Sequence, residues 1–185
     1  DNDIVSKSNI NRQIIALQDT INEVKVNVAK ERILKINPNA NVKTFNIFFN
    51  KELKDVLNFR EFDYIVDAID TISSKLILIE IAKDLDLKII SSMGTGNKLN
   101  PTMLEIDDIF KTKICPLAKV MRKELRKRNI DKLKVVYSKE EPVELTKKIF
   151  NDENKKQIPG SISFVPSVAG LIIASEVFKD LINNI

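Results

Sequence analysis

An α/β fold, with a mostly parallel sheet and helices on both of its faces, is what this sequence predicts, and three observations carry the prediction. Short runs rich in β-branched residues alternate with longer stretches of helical periodicity. The run Asp63-Tyr64-Ile65-Val66-Asp67-Ala68-Ile69 is apolar on both alternating sides, as a parallel strand covered on both faces should be. The 185 residues, 43% apolar and 30% charged, suffice for one cored domain and not for several. The whole chain, residues 1–185, is therefore expected to form one domain.

Apolar residues at Ile21, Val24, Val28, Ile33 and Ile36 predict a helix over 20–36. Asn37-Pro38 stops it, because proline lacks an amide and restricts the residue before it. Residues 42–49 read as a strand, 51–58 as a short helix and 63–69 as the buried strand. A long helix over 72–86 and a strand over 87–92 complete the βαβ rhythm. After Met93-Gly94-Thr95-Gly96 the rhythm changes. Residues 101–107 read as extended, 117–128 as a helix and 134–138 as a strand. The polar stretch 139–160 reads as a mobile surface loop. Residues 164–182 are apolar on nearly every side, with Pro166 in a first turn that tolerates it. Such a helix needs burial, in the core or against a second subunit.

Composition narrows the chemistry. The chain has no histidine, which removes Ser-His-Asp triads, Cys-His nucleophiles and histidine metal ligands. Its one cysteine, Cys115, builds neither a disulfide nor a four-cysteine zinc site and suits a reducing, cytoplasmic compartment. Four glycines leave no Gly-rich phosphate loop in these residues. No apolar run approaches the roughly 20 residues of a membrane span. Carboxylates, Lys, Arg, Asn, Ser and Thr remain to do the work.

The net charge of +4 conceals an asymmetry: residues 111–134 alone carry +8, and the rest of the chain carries −4. A concentrated basic patch on an acidic body points to a polyanion partner. Lys119, Arg122, Lys123 and Arg126 recur at helical spacing, while Leu117, Met121 and Leu125 line the opposite side. With no aromatic residues interleaved, contact with backbone phosphates is expected rather than base stacking.

A second cluster lies at the start. In nucleotide-binding α/β folds an acid at the end of the second strand holds ribose hydroxyls, and Asp1 and Asp3 suit that place. Ser8, Asn9, Asn11 and Arg12 follow. This donor-rich set suits a triphosphate, since arginine presents a fork matched to phosphate oxygens. Lys25 offers a further point charge. Asp70, just past the buried strand, stands where open sheets place ligands and where a carboxylate can hold magnesium.

Taken together, Asp-x-Asp-x-Val-x-x-Ser-Asn-x-x-Arg-Gln from Asp1, then Lys25, Ile36-Asn37-Pro38 and Asp67-Ala68-Ile69-Asp70 with Lys75, resemble the ThiF/MoeB/HesA superfamily. These are bacterial relatives of ubiquitin-activating enzymes. The segments Ser91-Ser92-Met93-Gly94-x-Gly96, Pro101-Thr102, Lys111-Thr112, Pro116-Leu117-Ala118, Val136-x-Ser138-x-Glu140, Pro159-Gly160-Ser161 and Ser167-Val168-Ala169-Gly170 resemble one branch of it, the tRNA threonylcarbamoyladenosine dehydratases. The likeness runs from Asp1 to about Leu181.

The resemblance implies a Rossmann-like domain working as a homodimer, with ATP and Mg2+ as cofactors and tRNA as partner. It implies ATP-dependent activation of the threonylcarbamoyl carboxylate, then ring closure by the amide nitrogen with loss of AMP. By the same resemblance Asp1 holds the ribose, and Ser8, Asn9, Asn11 and Arg12 line the triphosphate. Lys25 binds phosphate, and Asp70 is the magnesium-linked acid, with Thr71 beside it. Arg12, Lys25 and Asp70 are then the catalytic set, and Lys119, Arg122, Lys123 and Arg126 dock the tRNA.

Two other readings come from the same superfamily. One is an adenylyltransferase for the C-terminal glycine of a sulfur-carrier protein, with such a carrier or a cysteine desulfurase as partner. The other is a catalytically silent scaffold. The cysteine pairs that bind zinc in many sulfur-carrier activators are missing, which favours the dehydratase branch. The family's Gly-rich loop is expected to precede Asp1. Asn22 stands where relatives carry Gly, and asparagine tolerates left-handed backbone. Asn100 and Cys115 each replace an Asp.

Overall fold

The computed structural model describes residues 1–53, 57–146 and 159–182. The chain divides into two compact units, Asp1–Asn50 and Lys51–Ile185.

The first unit is built on a closed loop. Ile4 and Val24 form an antiparallel bridge, and three backbone bonds of 2.8–3.0 Å clamp it: Val5 N to Glu23 O, Asn22 N to Val5 O and Lys25 N to Asp3 O. Val5, Ala16 and Val28 are buried together, with Ile10 and Ile15 against them. Helix α1 spans Lys25–Ile36 and ends where Asn37 precedes Pro38. It begins later than the periodicity predicts. Asn22 takes a left-handed φ of 72°, and the Thr20 hydroxyl accepts from Leu17 N and donates to Ile15 O, so 20–24 turns rather than winds. The strand expected over 42–49 is also absent. Strand propensity becomes a strand only where a ladder forms. Here the Asp1 ammonium donates to Phe45 O at 3.3 Å, and residues 42–49 join no ladder among the described residues.

The second unit contains the expected sheet. Strands β1 (Tyr64–Asp67), β2 (Lys88–Ser92), β3 (Leu104–Asp108) and β4 (Lys134–Ser138) lie in the order β1-β2-β4-β3. The pairs β1–β2 and β2–β4 are parallel, and β3–β4 is antiparallel. Helices α2 (Ile72–Asp84) and α3 (Pro116–Lys127) cover one face, and α4 (Phe164–Ile182) covers the other. Alternation along β4 shows the division. Val135 and Tyr137 pack with Leu76, Ile79, Met121 and Leu125, whereas Val136 packs with Val165, Ala169 and Ile173. Asn100 caps the turn before β3: its Oδ1 accepts from the Thr102 amide at 3.0 Å and the Thr102 hydroxyl at 2.6 Å. The helix expected over 51–58 and the loop expected over 139–160 lie partly outside the described residues. No helix among those described is long and apolar enough to cross a membrane.

Polar contacts fix the rotation of α4. Lys134 Nζ on β4 donates to Glu176 at 3.0 Å and Asp180 at 2.7 Å, and Tyr64 OH on β1 donates to Asp180 at 2.7 Å. The hydrogen bond from Lys134, then that from Tyr64, holds the Asp180 carboxyl below its ordinary value. Burial draws the Lys134 ammonium down, but its bonds to Asp180 and Glu176 outweigh this and leave it raised. A depressed folded pKa gives stability that is present above the unfolded value, near pH 4, and is lost as pH falls through the folded one. Asp180→Asn should therefore remove part of the acid-induced loss of stability below about pH 4. Urea unfolding at stepped pH measures it, and an unaltered acid slope would take Asp180 out of the clamp.

Candidate functional site

In the first unit the predicted donors sit on consecutive turns of the closed loop. A 3-10 turn over Lys7–Asn9 is held by Asn9 N to Ser6 O at 2.9 Å, and Arg12 N returns to Asn9 O at 3.1 Å. Asn9 is buried, and its Oδ1 accepts from Ser6 N at 3.0 Å, so this side chain shapes the loop. Arg12 Nη1 donates to Ser8 O at 2.9 Å and to Asn11 Oδ1 at 3.0 Å. Ser8, Asn11 and Arg12 are thus brought together, with Ser8 and Asn11 exposed. Lys25 Nζ pairs with Asp3 at 2.6 Å. Exposed Asp1 accepts from Asp3 N at 2.9 Å through its Oδ1.

In the second unit Asp70 lies in the turn between β1 and α2, beyond the carboxyl end of the strand. Its carboxylate is exposed and accepts from the Thr71 hydroxyl at 3.2 Å. Thr71 is the cap of α2, so Asp70 stands at that helix's positive end. Beneath this turn is a buried polar group that the sequence-based site did not include. Lys75 and Asp67 are 1% and 0% exposed. Lys75 Nζ donates to Asp67 Oδ2 at 3.1 Å, to Ser91 Oγ at 3.2 Å and to Ser92 O at 2.8 Å. Ser91 Oγ donates to Asp67 Oδ2 at 2.5 Å, and Asp67 Oδ1 accepts from Ile69 N at 3.1 Å. Burial pushes the Lys75 ammonium down, against the pull of Asp67. The signal was in the sequence: a carboxylate inside the apolar β1 run and a lysine inside the apolar α2 run imply partners. Their meeting depends on the parallel register that sets Asp67 beside Ser91.

The glycine motifs of this unit converge. Asn97 N donates to Gly160 O at 2.8 Å, and Gly160 N donates to Asn97 Oδ1 at 2.6 Å. A Cβ on Gly96 would stand 2.8 Å from Pro159 Cβ, so only glycine fits there. The Glu140 carboxylate accepts from the amides of Leu99 and Asn100 at 2.9–3.0 Å. Cys115 is 2% exposed at the start of α3.

Helix α3 presents the basic face. Ala118, Met121 and Leu125 are buried under it, and Lys119, Lys123 and Arg126 are exposed. The Arg126 guanidinium lies 5.3 Å from the Phe110 ring centre. Arg122 is half-buried and donates to the Thr112 hydroxyl and to Ile109 O, so it braces the turn before α3.

A mostly parallel sheet with an acid beyond a strand's carboxyl end has the layout of α/β domains that bind ligands at that edge. The chain belongs to the ThiF family, whose model matches residues 1–184. It is 41% identical over 194 residues to a tRNA threonylcarbamoyladenosine dehydratase of Bacillus subtilis, covering all of this chain and 76% of that one. Its fold superposes on the Escherichia coli tRNA N6-threonylcarbamoyladenosine dehydratase in complex with AMP with a TM-score of 0.87, at 27% identity over 99% of this chain and 74% of that one. The same enzyme in complex with ATP gives 0.85 at 26% identity, with equal coverage.

Proposed function

We propose that the protein dehydrates N6-threonylcarbamoyladenosine in tRNA, using ATP to activate the carboxylate. The observation that carries this reading is the end-to-end likeness, in sequence and in fold, to proteins of that activity. A carboxylate oxygen attacks the α-phosphorus of ATP and pyrophosphate leaves. Ring closure on the activated carbonyl then expels AMP, which carries off the oxygen of the lost water.

The residues have roles that follow from this chemistry. Asp1 accepts from the ribose hydroxyls. Negative charge gathers on the leaving pyrophosphate, and fixed cations there lower the barrier. The Arg12 fork, set by Ser8 and Asn11, meets that charge, and Asn9 holds the loop that carries it. An ammonium has three donors, so Lys25 can keep Asp3 and still reach a phosphate oxygen. Magnesium usually takes one or two carboxylates plus substrate phosphates, and Asp70, exposed and bonded to Thr71 alone among the described residues, suits that share. Among the described residues no cluster of three carboxylates or cysteines forms an all-protein metal cage. Held by Asp70, the ion would supply charge neutralisation on the phosphates. The Asp67–Lys75–Ser91 group keeps the Asp70 turn in place.

The direct test is incubation with threonylcarbamoyl-modified tRNA and ATP. The modified nucleoside should lose one water while AMP appears. AMP formation with a small protein ending in Gly-Gly, and none with tRNA, would move the protein to the carrier-activating branch.

Docking of the tRNA falls to Lys119, Lys123 and Arg126, with Arg122 bracing them. Reversing Lys119 and Lys123 to Glu should weaken tRNA binding and lower the salt slope by about 1.4–1.8, since each phosphate contact contributes roughly 0.7–0.9. Anisotropy titrations across a salt series measure it. An unchanged slope would reduce this helix to a solvated face.

A further inference from the structure

Among the described residues, the non-glycine positions with positive φ are Asn22, Asp86, Asn97, Asn129 and Ile114. Asparagine and aspartate tolerate the left-handed region, but a β-branched residue does not. Ile114, at φ 68°, is therefore strained. Cys115 N donates to Lys113 O at 2.7 Å and closes a three-residue turn with Ile114 at its centre. Burial returns little for the strain, because Ile114 is 50% exposed. The turn is instead held from both sides. Thr112 is buried and accepts from Arg122, and Cys115 is buried with Ala118 and Met121.

The place of this turn gives the strain a use. In the loop after the carboxyl end of β2, a Cβ on Gly94 would lie 4.0 Å from the Leu117 side chain. The buried Lys98 of the same loop interacts electrostatically with Cys115. Ile114 thus stands beside the sheet edge that carries Asp70. Exposed Lys111 and Lys113 precede it, and Lys119 follows on the basic face of α3. A fixed, exposed aliphatic group therefore joins the basic face to the carboxyl edge. We propose that Ile114 is a wedge for the RNA: it enters the base stack next to the threonylcarbamoyl-modified adenosine and holds that base out toward the sheet edge. Enzymes that react at a base draw it from its stack, and aliphatic side chains unstack base steps by insertion. Cations on phosphates position the RNA but leave its bases stacked. A mobile side chain would yield to the stack, whereas a turn fixed by Thr112 and Cys115 does not. This inference rests on the tRNA reaction proposed above and adds the residue that presents its substrate.

The test uses the whole chain and an RNA stem-loop carrying the modified adenosine with 2-aminopurine next to it, a base that brightens when unstacked. Wild-type protein should brighten the probe. Ile114→Gly should leave it dim and lower kcat/KM for the RNA about tenfold or more, with the KM for ATP unchanged. Its Tm should rise by about 2–4 °C, because glycine relieves the strain. Ile114→Leu keeps the aliphatic bulk and should keep both the fluorescence rise and the turnover. A glycine variant that keeps both as well overturns the proposal, whatever its stability. A wild type that dehydrates the RNA without brightening the probe overturns the wedge and leaves the reaction standing. A wild type inactive on the RNA with ATP removes both.

Discussion

Lys75→Ala should destabilise the protein by about 3–5 kcal/mol, the range for removing one partner of a buried ion pair. The reason is what stays behind. Asp67, 0% exposed, would keep its bonds from Ser91 and Ile69 but lose its cation. A desolvated carboxylate without a counter-charge costs far more than the lysine's packing returns. Lys75→Met with Asp67→Asn removes both charges and should recover most of the loss, because replacing a buried pair with neutral groups is often close to neutral. Urea unfolding of the two variants separates the cases. A single-variant loss under 1 kcal/mol would mean that water reaches this group, and the account of a dry clamp beneath Asp70 would fail.

Arg12→Ala and Asp70→Ala should act on turnover. Each should lower ATP-dependent dehydration about 100-fold or more, the usual cost of one transition-state charge contact. Neither should lower stability much. Asp70 is exposed, and among the described residues Arg12 bonds within its own loop. The readout is AMP release under saturating tRNA and ATP, with thermal unfolding beside it. Asp70→Ala that unfolds the protein, or that leaves AMP release intact, would end its proposed role toward magnesium. Arg12→Lys offers a finer test. It keeps the charge but loses the fork, so partial activity would separate charge from bidentate geometry.

Local signals were legible along much of the chain. The parallel sheet was visible because β1, β2 and β4 are short apolar runs bounded by turns, and each needs only its own residues to declare itself. Helix α3 was visible from its spacing, and Asn22 from the tolerance of asparagine for a positive φ. The proposed donor segment 8–12 was singled out by its residue types, and not their placement, as matching phosphate chemistry. The family was legible because its motifs are spread over the whole chain.

Other features required the folded chain. Residues 42–49 have strand composition and form no strand, since a strand is completed by a ladder partner that no local window contains. Residues 20–24 have helical spacing, but Asn22 takes a left-handed φ with its amide on Val5 O, and the Thr20 hydroxyl is spent on a turn. Arg122 looked like its neighbours on the basic face, and only packing against Thr112 shows it bracing a turn. Composition and periodicity are properties of the chain read in order, so sequence alone determined the α/β class and the family. Which charges are buried and which helix face is left uncovered depend on contacts between distant residues, such as Lys75 with Asp67 and Ser91, and Lys134 with Asp180. Those the tertiary structure decided, because desolvation and charge pairing act through space and not along the chain.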